Sequence, residues 1–430
     1  MNYENLENWR CKMLNIKRII LIFCAFVFLS NEEVKAQVLS IDRIIQRIDQ
    51  HNELLKSYGL KAEVYKYKGE AATAWMAPMV GVGTYMTPYP GSMTMSPSEK
   101  GSLMFQFEQE IPNKAKLIAK KRSIESEAGI EWTNRAEVFN NLKAQSKQLY
   151  NRWVIAKQRI GLLEKNKQIL ETMKKLEELR YTFNQSNLGG IYKLDAKIEE
   201  NKNKIRMQKG EIAKTRSFLN ALMNQPGDFH FDIDSTYQPV FQFEVVIDTG
   251  DLSTSRADIQ RMNKNIHSMQ LEIESMKLQK RPDLKIRFDH MSALAKGGMP
   301  NSYSIMGMIS IPIAPWSATM YKSDIKAMHY DILAMEKTKV GMLQESQGRL
   351  YGMQYQLQSK EEQISAFEEK VIPALQKAFD AYYINYQENK LQLPIVIDSW
   401  ESLNMMELNI LDEKLELYQM IVDYEKELYR

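Results

Sequence analysis

The chain has 430 residues, 44% of them apolar and 26% charged, a balance that buries a core and lies far from that of a disordered segment. Its 57 basic and 54 acidic residues leave a net charge of +3, too weak a field to make nucleic acid the main partner. Both cysteines, Cys11 and Cys24, precede residue 37, which removes disulfides, thiolate metal sites and cysteine nucleophiles from the rest of the chain.

Residues 1–36 read as an export signal. Lys17 and Arg18 precede an apolar run from Ile19 to Leu29, well short of the ~20 residues that a membrane-spanning helix needs. Val34-Lys35-Ala36 then places small or apolar residues at the two positions a signal peptidase reads. After an opening helix come two strand-like stretches, at 79–88 and up to Ile111, joined by the turn-rich YPGSMTMSPSEKG. Leu103, Phe105 and Phe107 alternate with Gln106, Glu108 and Glu110, giving one oily and one ionic face. The stretch 113–182 carries heptads through Leu142, Leu149, Trp153, Leu163 and Leu170, and a second helical run follows through Ile191, Leu194, Ile198 and Ile205.

Residues 225–253 are neither heptad-periodic nor a clean hairpin, and after them the same order begins again. Ile259, Met262, Ile266, Met269, Ile273 and Met276 form a helical seam. Leu284, Ile286, Phe288 and His290 alternate with Lys285, Arg287, Asp289 and Met291, and a partner strand is expected at 303–312. A helical stretch over 317–386, broken only at Pro373, and a last one through Leu403, Ile410, Leu417 and Leu428 close the chain. Trp75–Pro78, Ile111-Pro112 and Asp195 have counterparts in Lys280–Asp283, Ile311-Pro312 and Asp398, each about 200 positions on. This divides the chain into a first repeat over 37–224, a connecting segment over 225–253 and a second repeat over 254–430.

A helical stretch of some seventy residues is roughly 100 Å long and predicts an extended coiled coil rather than a compact domain. Each strand is near the 9–11 residues that cross a bilayer at a tilt, yet lipid tolerates no open sheet edge and the smallest bacterial barrels need eight strands. Four strands are all the sequence predicts, so several chains must pool their hairpins. In such a barrel Phe105, Phe107, Ile286 and Phe288 are expected to face lipid, and Glu108, Lys285, Arg287 and Asp289 the lumen. A two-sided soluble sheet is the alternative reading of the strand pattern.

The chain resembles the TolC-like outer membrane efflux proteins over essentially its whole length after residue 36. The resemblance rests on HNELLK at 51–56, RPDLKIRF at 281–288, ISIPI at 309–313 and YQENKLQLPIVID at 386–398, in order and duplicated. It implies an α+β membrane protein: a long antiparallel coiled-coil tunnel in the periplasm, plus four strands per chain that pool into a homotrimeric, twelve-stranded barrel in the outer membrane. Such channels are the exit ducts of tripartite pumps, with a periplasmic adaptor and an inner-membrane transporter as partners. Asn389 stands where the family pattern usually has Gly, and Ile395 where an additional acid is common, which leaves Asp398, and Asp195 in the first repeat, as candidate periplasmic gate residues. Capping of a helix start is the competing reading of both aspartates. The family's frequent acylated cysteine is not evident.

No nucleophile, base and orienting group can be assembled, and His51, His230, His267, His290 and His329 are dispersed, so neither an enzyme nor a cofactor is expected. The basic run Lys114, Lys116, Lys120, Lys121 and Arg122 follows the second strand, where it meets either lipid headgroups or solvent. Methionine is unusually frequent, with Met76, Met79, Met86, Met93, Met95 and Met104 around the first hairpin; thioethers suit soft metal ions, and apolar filling is the other reading. A periplasmic coiled-coil spacer, and the channel of a type I protein secretion system, are the alternatives to efflux.

Overall fold

The computed structural model describes residues 37–93, 96–244, 246–294, 296 and 299–429. The expected export signal and Met95 lie outside the described residues. A short strand β1 (Gln37–Leu39) leads into helices α1 (Ile41–His51) and α2 (Glu53–Ala71), then strands β2 (Met79–Tyr85) and β3 (Ser102–Ile111). Helices α3 (Lys114–Ser126), α4 (Ala128–Thr182) and α5 (Leu188–Leu222) follow. Strand β4 (Phe231–Ile233) and helices α6 (Thr249–Ser255) and α7 (Ala257–Lys277) precede strands β5 (Leu284–Ala293) and β6 (Ser302–Ile309). Helices α8 (Pro315–Ala366), α9 (Ile372–Gln387) and α10 (Leu393–Leu428) end the chain.

The strands form two sheets. β2, β3, β5 and β6 lie side by side in that order, all antiparallel, with β2 and β6 as edges. The other sheet adds two short strands to the four expected. β1 pairs in parallel with β4, Leu39 opposite Ile233, and α6 begins within the same connecting segment. Three-residue strands carry no readable alternation. What holds this pair is burial, because Leu39, Phe231 and Ile233 sit in a core with Ile44, Ile48, Tyr150, Trp153 and Leu219. The Trp153 and Phe231 rings lie 5.1 Å apart.

Helix α4 packs against α2, α5, α7 and α10, and its heptad seam divides among several clusters. Its middle closes on the small sheet, and Leu170 and Met173 join Leu194, Phe379, Val396 and Trp400 further along. The residues before α6 lie across α8 and α10: Phe241 meets the Tyr424 ring at 5.4 Å, and the Gln347 side chain donates to the Ile247 carbonyl at 2.7 Å. The buried Arg256 pins the C-terminal end by pairing with both Asp258 and Glu427, at 2.8 and 2.7 Å.

The two long arms differ. α4 runs through 55 residues without interruption, whereas α8 passes through a π-helical turn, Phe367–Val371, before α9. Pro373 explains it. Proline supplies no N–H to the preceding turn and crowds the carbonyl there, and one wider turn absorbs the misfit.

Candidate functional site

Register sorts the aliphatic and phenylalanine residues of the strands from the charged ones. Val82, Phe105, His290 and Tyr303 share one row, and Val80, Phe107, Phe288 and Ile305 the next row of the same face. Every valine, leucine, isoleucine and phenylalanine of these four strands lies on that face. Glu108, Lys285, Arg287 and Asp289 lie together on the other, where Lys285 pairs with Glu108 and Arg287 Nε donates to Asp289 at 2.9 Å. Exposure is the reverse of a water-soluble sheet: Phe105 and Phe107 are each 44% exposed, Glu108 and Asp289 only 6% and 5%. Trp75 and Trp316 stand exposed beside the strands at the end where the helices begin.

That end is joined by Asp283. Its carboxylate accepts from the Asn113 backbone N–H at 2.9 Å and from Lys116 Nζ at 2.6 Å, while its own N–H donates to Ser310 Oγ at 2.8 Å. Burial works to raise its pKa, but the hydrogen bonds from Lys116 and Asn113 outweigh it and hold the carboxyl below its ordinary range. Lys120 and Lys121 likewise have carboxylate neighbours, Glu272 and Glu125, so much of the basic run is already neutralised.

At the opposite end of the helices two turns face each other across a groove of about 760 Å³, lined by residues from 184–193 and 389–397 together with Glu177 and Arg180. Both turns end a helix in the same way. Asn184 and Asn389 adopt φ of 56° and 62°, and the next residues, Gln185 and Lys390, donate back to the Arg180 and Asn385 carbonyls, each at 2.9 Å. This is the left-handed ending that glycine favours and asparagine tolerates, so Asn389 fills the role of the expected Gly. Gly190 is needed for closeness: a Cβ there would stand 3.0 Å from both Glu177 Oε1 and Leu393 Cδ2.

Beneath the groove lies a polar cluster that sequence reasoning missed. The Tyr386 hydroxyl donates to Glu177 Oε2 at 2.5 Å, and Arg180 donates to the Tyr386 carbonyl and lies 4.2 Å from the centre of its ring. Burial first, then the bond to Glu177, push the Tyr386 hydroxyl pKa up. The signal was present: Leu163, Asn166, Leu170, Met173, Glu177 and Arg180 continue one heptad seam, and all are buried. Polar residues at seam positions need buried partners. Asn166 finds its own in Asn404 and Trp400, at 2.8 and 3.0 Å.

Neither aspartate singled out in the sequence caps a helix. The caps are Asn187 and Gln392, and Asp195 and Asp398 lie inside α5 and α10. The structure does not give them the same surroundings. Asp195 pairs with Lys174 at 2.6 Å, a hydrogen bond that holds the lysine pKa above its ordinary value. Asp398 is exposed and has no ion-pair partner among the described residues.

No protein-family profile matches the chain, and no curated protein sequence does. Solved structures do. CusC, whose structures follow folding and transmembrane channel formation, superposes with a TM-score of 0.71 at 14% identity, covering 90% of this chain and 91% of CusC. The open outer membrane channel MtrE of Neisseria gonorrhoeae gives 0.67 at 14% identity, with 90% and 88% covered. The outer membrane channel CmeC of Campylobacter jejuni gives 0.66 at 12% identity, with 90% and 85% covered. The chain has the fold of the outer membrane channels. Within that class the fold is that of the TolC-like efflux channels, long helices with an antiparallel sheet.

Proposed function

We propose that the chain is the outer membrane channel of a tripartite efflux pump, a passive exit duct for small molecules or ions. The observation that carries this reading is the inverted sheet, with phenylalanines and aliphatic side chains exposed on one face and Glu108 and Asp289 shielded on the other. Such a face belongs against hydrocarbon, and the other against a water-filled lumen. Edges β2 and β6 each present unpaired backbone groups, which in lipid must be satisfied by other strands. Three copies closing β6 of one chain on β2 of the next give the twelve-stranded barrel, and the exposed Trp75 and Trp316 suit its aromatic girdle.

The matching order of elements in 37–224 and 254–430, and the shared left-handed asparagine at both turns, support an internal duplication. Residues 1–36 act as the export signal that delivers the chain to the outer membrane. In the trimer the paired turns gather at the periplasmic mouth, where the groove between them offers polar docking for the helical end of a periplasmic adaptor, itself bound to an inner-membrane transporter. Asp398, unpaired and exposed, is the stronger gate residue, and Asp195, held by Lys174, the weaker. Phe105, Phe107, Ile286 and Phe288 meet lipid; Glu108, Lys285, Arg287 and Asp289 meet the lumen.

The test is extraction and mass. The protein should stay with membranes through a carbonate wash and, in detergent, scatter light as three chains. Release by carbonate, or a monomer with native strand content, would overturn the reading.

A further inference from the structure

The methionines of the large sheet do not behave as apolar filler. Met79, Met104, Met291, Met306 and Met308 all lie on the charged face, and not one lies among the valines, leucines, isoleucines and phenylalanines of the other. A methionine that merely replaced leucine would sort with leucine, since both favour the same apolar surroundings. Among the described residues no helix packs extensively against this sheet, so the face has no helical partner to be filled against. Met79 and Met306 are 59% and 46% exposed on it.

Their order along the strands is as informative. Met308 shares the row of Glu110 and Lys285, nearest the helices; Met79 and Met306 share the row of Glu108 and Arg287. Met104 and Met291 are direct cross-strand partners nearest the loops, and Met86 and Met93 stand exposed in the loop beyond. Same-face rows repeat every ~6.6 Å, and directly opposed side chains start only ~5 Å apart, so two flexible thioethers at 104 and 291 can close on one ion. Near the Met104–Met291 pair the carboxylates do not compete, because Glu108 and Asp289 are each neutralised by a cation and the exposed Glu110 lies three rows away, beside Met308. What that end of the face offers a passing solute is sulfur.

We propose that this strip is a binding path for soft monovalent cations, Cu(I) or Ag(I), with Met104 and Met291 as its principal pair. Neutral thioethers are soft donors that select such ions over hard ones. Several weak sites in file suit a duct, where an ion must bind well enough to enter and loosely enough to leave. The inference rests on the channel reading for the strip to line a lumen, but the paired thioethers are a property of the sheet itself.

The experiment uses the purified trimer of the mature chain, from Gln37 on, and silver nitrate in chloride-free buffer, with the double variant Met104→Leu/Met291→Leu, which keeps volume and apolarity and removes sulfur. No cysteine follows Cys24, so thiolate does not obscure the titration. Calorimetric titration should show silver binding to the wild type that weakens at least tenfold in the variant, with no binding of sodium in either. In planar bilayers, silver should reduce wild-type conductance in a concentration-dependent way and the variant's much less. Equal silver binding by both proteins overturns the proposal, as does absence of silver binding by a wild type that conducts normally. If the variant instead retains binding of a nonpolar fluorescent probe and neither protein takes silver, the strip serves apolar cargo and the proposal fails. A protein that forms no conducting trimer refutes the channel reading alone, because the titration still decides the thioether pair.

Discussion

The large sheet and the helical body of this chain obey opposite rules. Along α4 Trp153, Leu163 and Leu170 turn inward and Arg152, Lys165 and Lys175 turn to the surface, as water requires. In the sheet Phe105, Phe107 and Ile286 are the exposed groups while Glu108 and Asp289 are shielded. One polypeptide therefore carries two solvent instructions, and the change falls between Ile111 and Lys114, where Asp283 bonds to Asn113 and Lys116. The surface of a fold identifies its solvent as surely as its core does.

Changing the charge on each face by one breaks the comparison most sharply. In the proposed barrel Phe107→Arg sets a cation against lipid at a cost of ~2–4 kcal/mol, and the yield of assembled trimer in membranes should fall severely. Glu108→Gln, on the lumen side, should assemble nearly as well as wild type; Arg at 108 would be a poorer control because it would oppose Lys285. Equal loss from Phe107→Arg and Glu108→Gln on a gel of unheated trimer would count against two solvents.

In the helical body the same question is asked of a buried group. Tyr386→Phe leaves Glu177 without its hydroxyl donor, at a cost of about 1–3 kcal/mol. Thermal melting of the helices should shift down while trimer yield stays unchanged. A variant that melts like wild type would mean that the cluster beneath the tip groove does not hold the two turns together.

The joint between the two regions should respond to acid. Because the Asp283 carboxyl is held below its ordinary range, its contribution is complete above the unfolded value of ~3.9 and is lost as pH falls through the lower folded value. Asp283→Asn should lose on the order of 1 kcal/mol at neutral pH and show a flatter stability profile below pH ~4. Parallel acid profiles for both proteins would assign the acid response to other carboxylates.

The smallest expected effect on stability is at Asp398. An exposed carboxylate without an ion-pair partner contributes little to folding, so Asp398→Ala should move stability by less than ~0.5 kcal/mol. Its effect should appear instead as reduced cation preference in single-channel recordings. Unchanged selectivity would remove Asp398 from the gate.

The sequence carried the large sheet and the long helices plainly, because ten-residue alternation and heptads extending over many turns are redundant signals. Phe105 against Gln106 and Leu284 against Lys285 already told one face from the other. It did not carry β1 and β4, whose three residues each are joined across almost the whole first repeat and held by contact with Trp153 and Ile44 rather than by pattern. Glu177 and Arg180 were visible as odd members of a seam, but Tyr386 is 209 positions from Glu177, and only packing brings them to 2.5 Å. For Asp195 and Asp398, read as gate candidates, position near a helix start left capping as the competing reading; the helices begin earlier, at Leu188 and Leu393, because asparagine turns end the preceding helices first.

The most direct test compares adjacent residues. With no cysteine after Cys24, the single variants Gln106→Cys and Phe107→Cys can each carry a spin label in the liposome-reconstituted trimer. Collision with oxygen, which concentrates in lipid, and with a water-soluble nickel chelate then reports the solvent on each face. The label at 107 should meet oxygen and avoid nickel, and the label at 106 should do the reverse; equal access of nickel to both would contradict an apolar face turned to lipid.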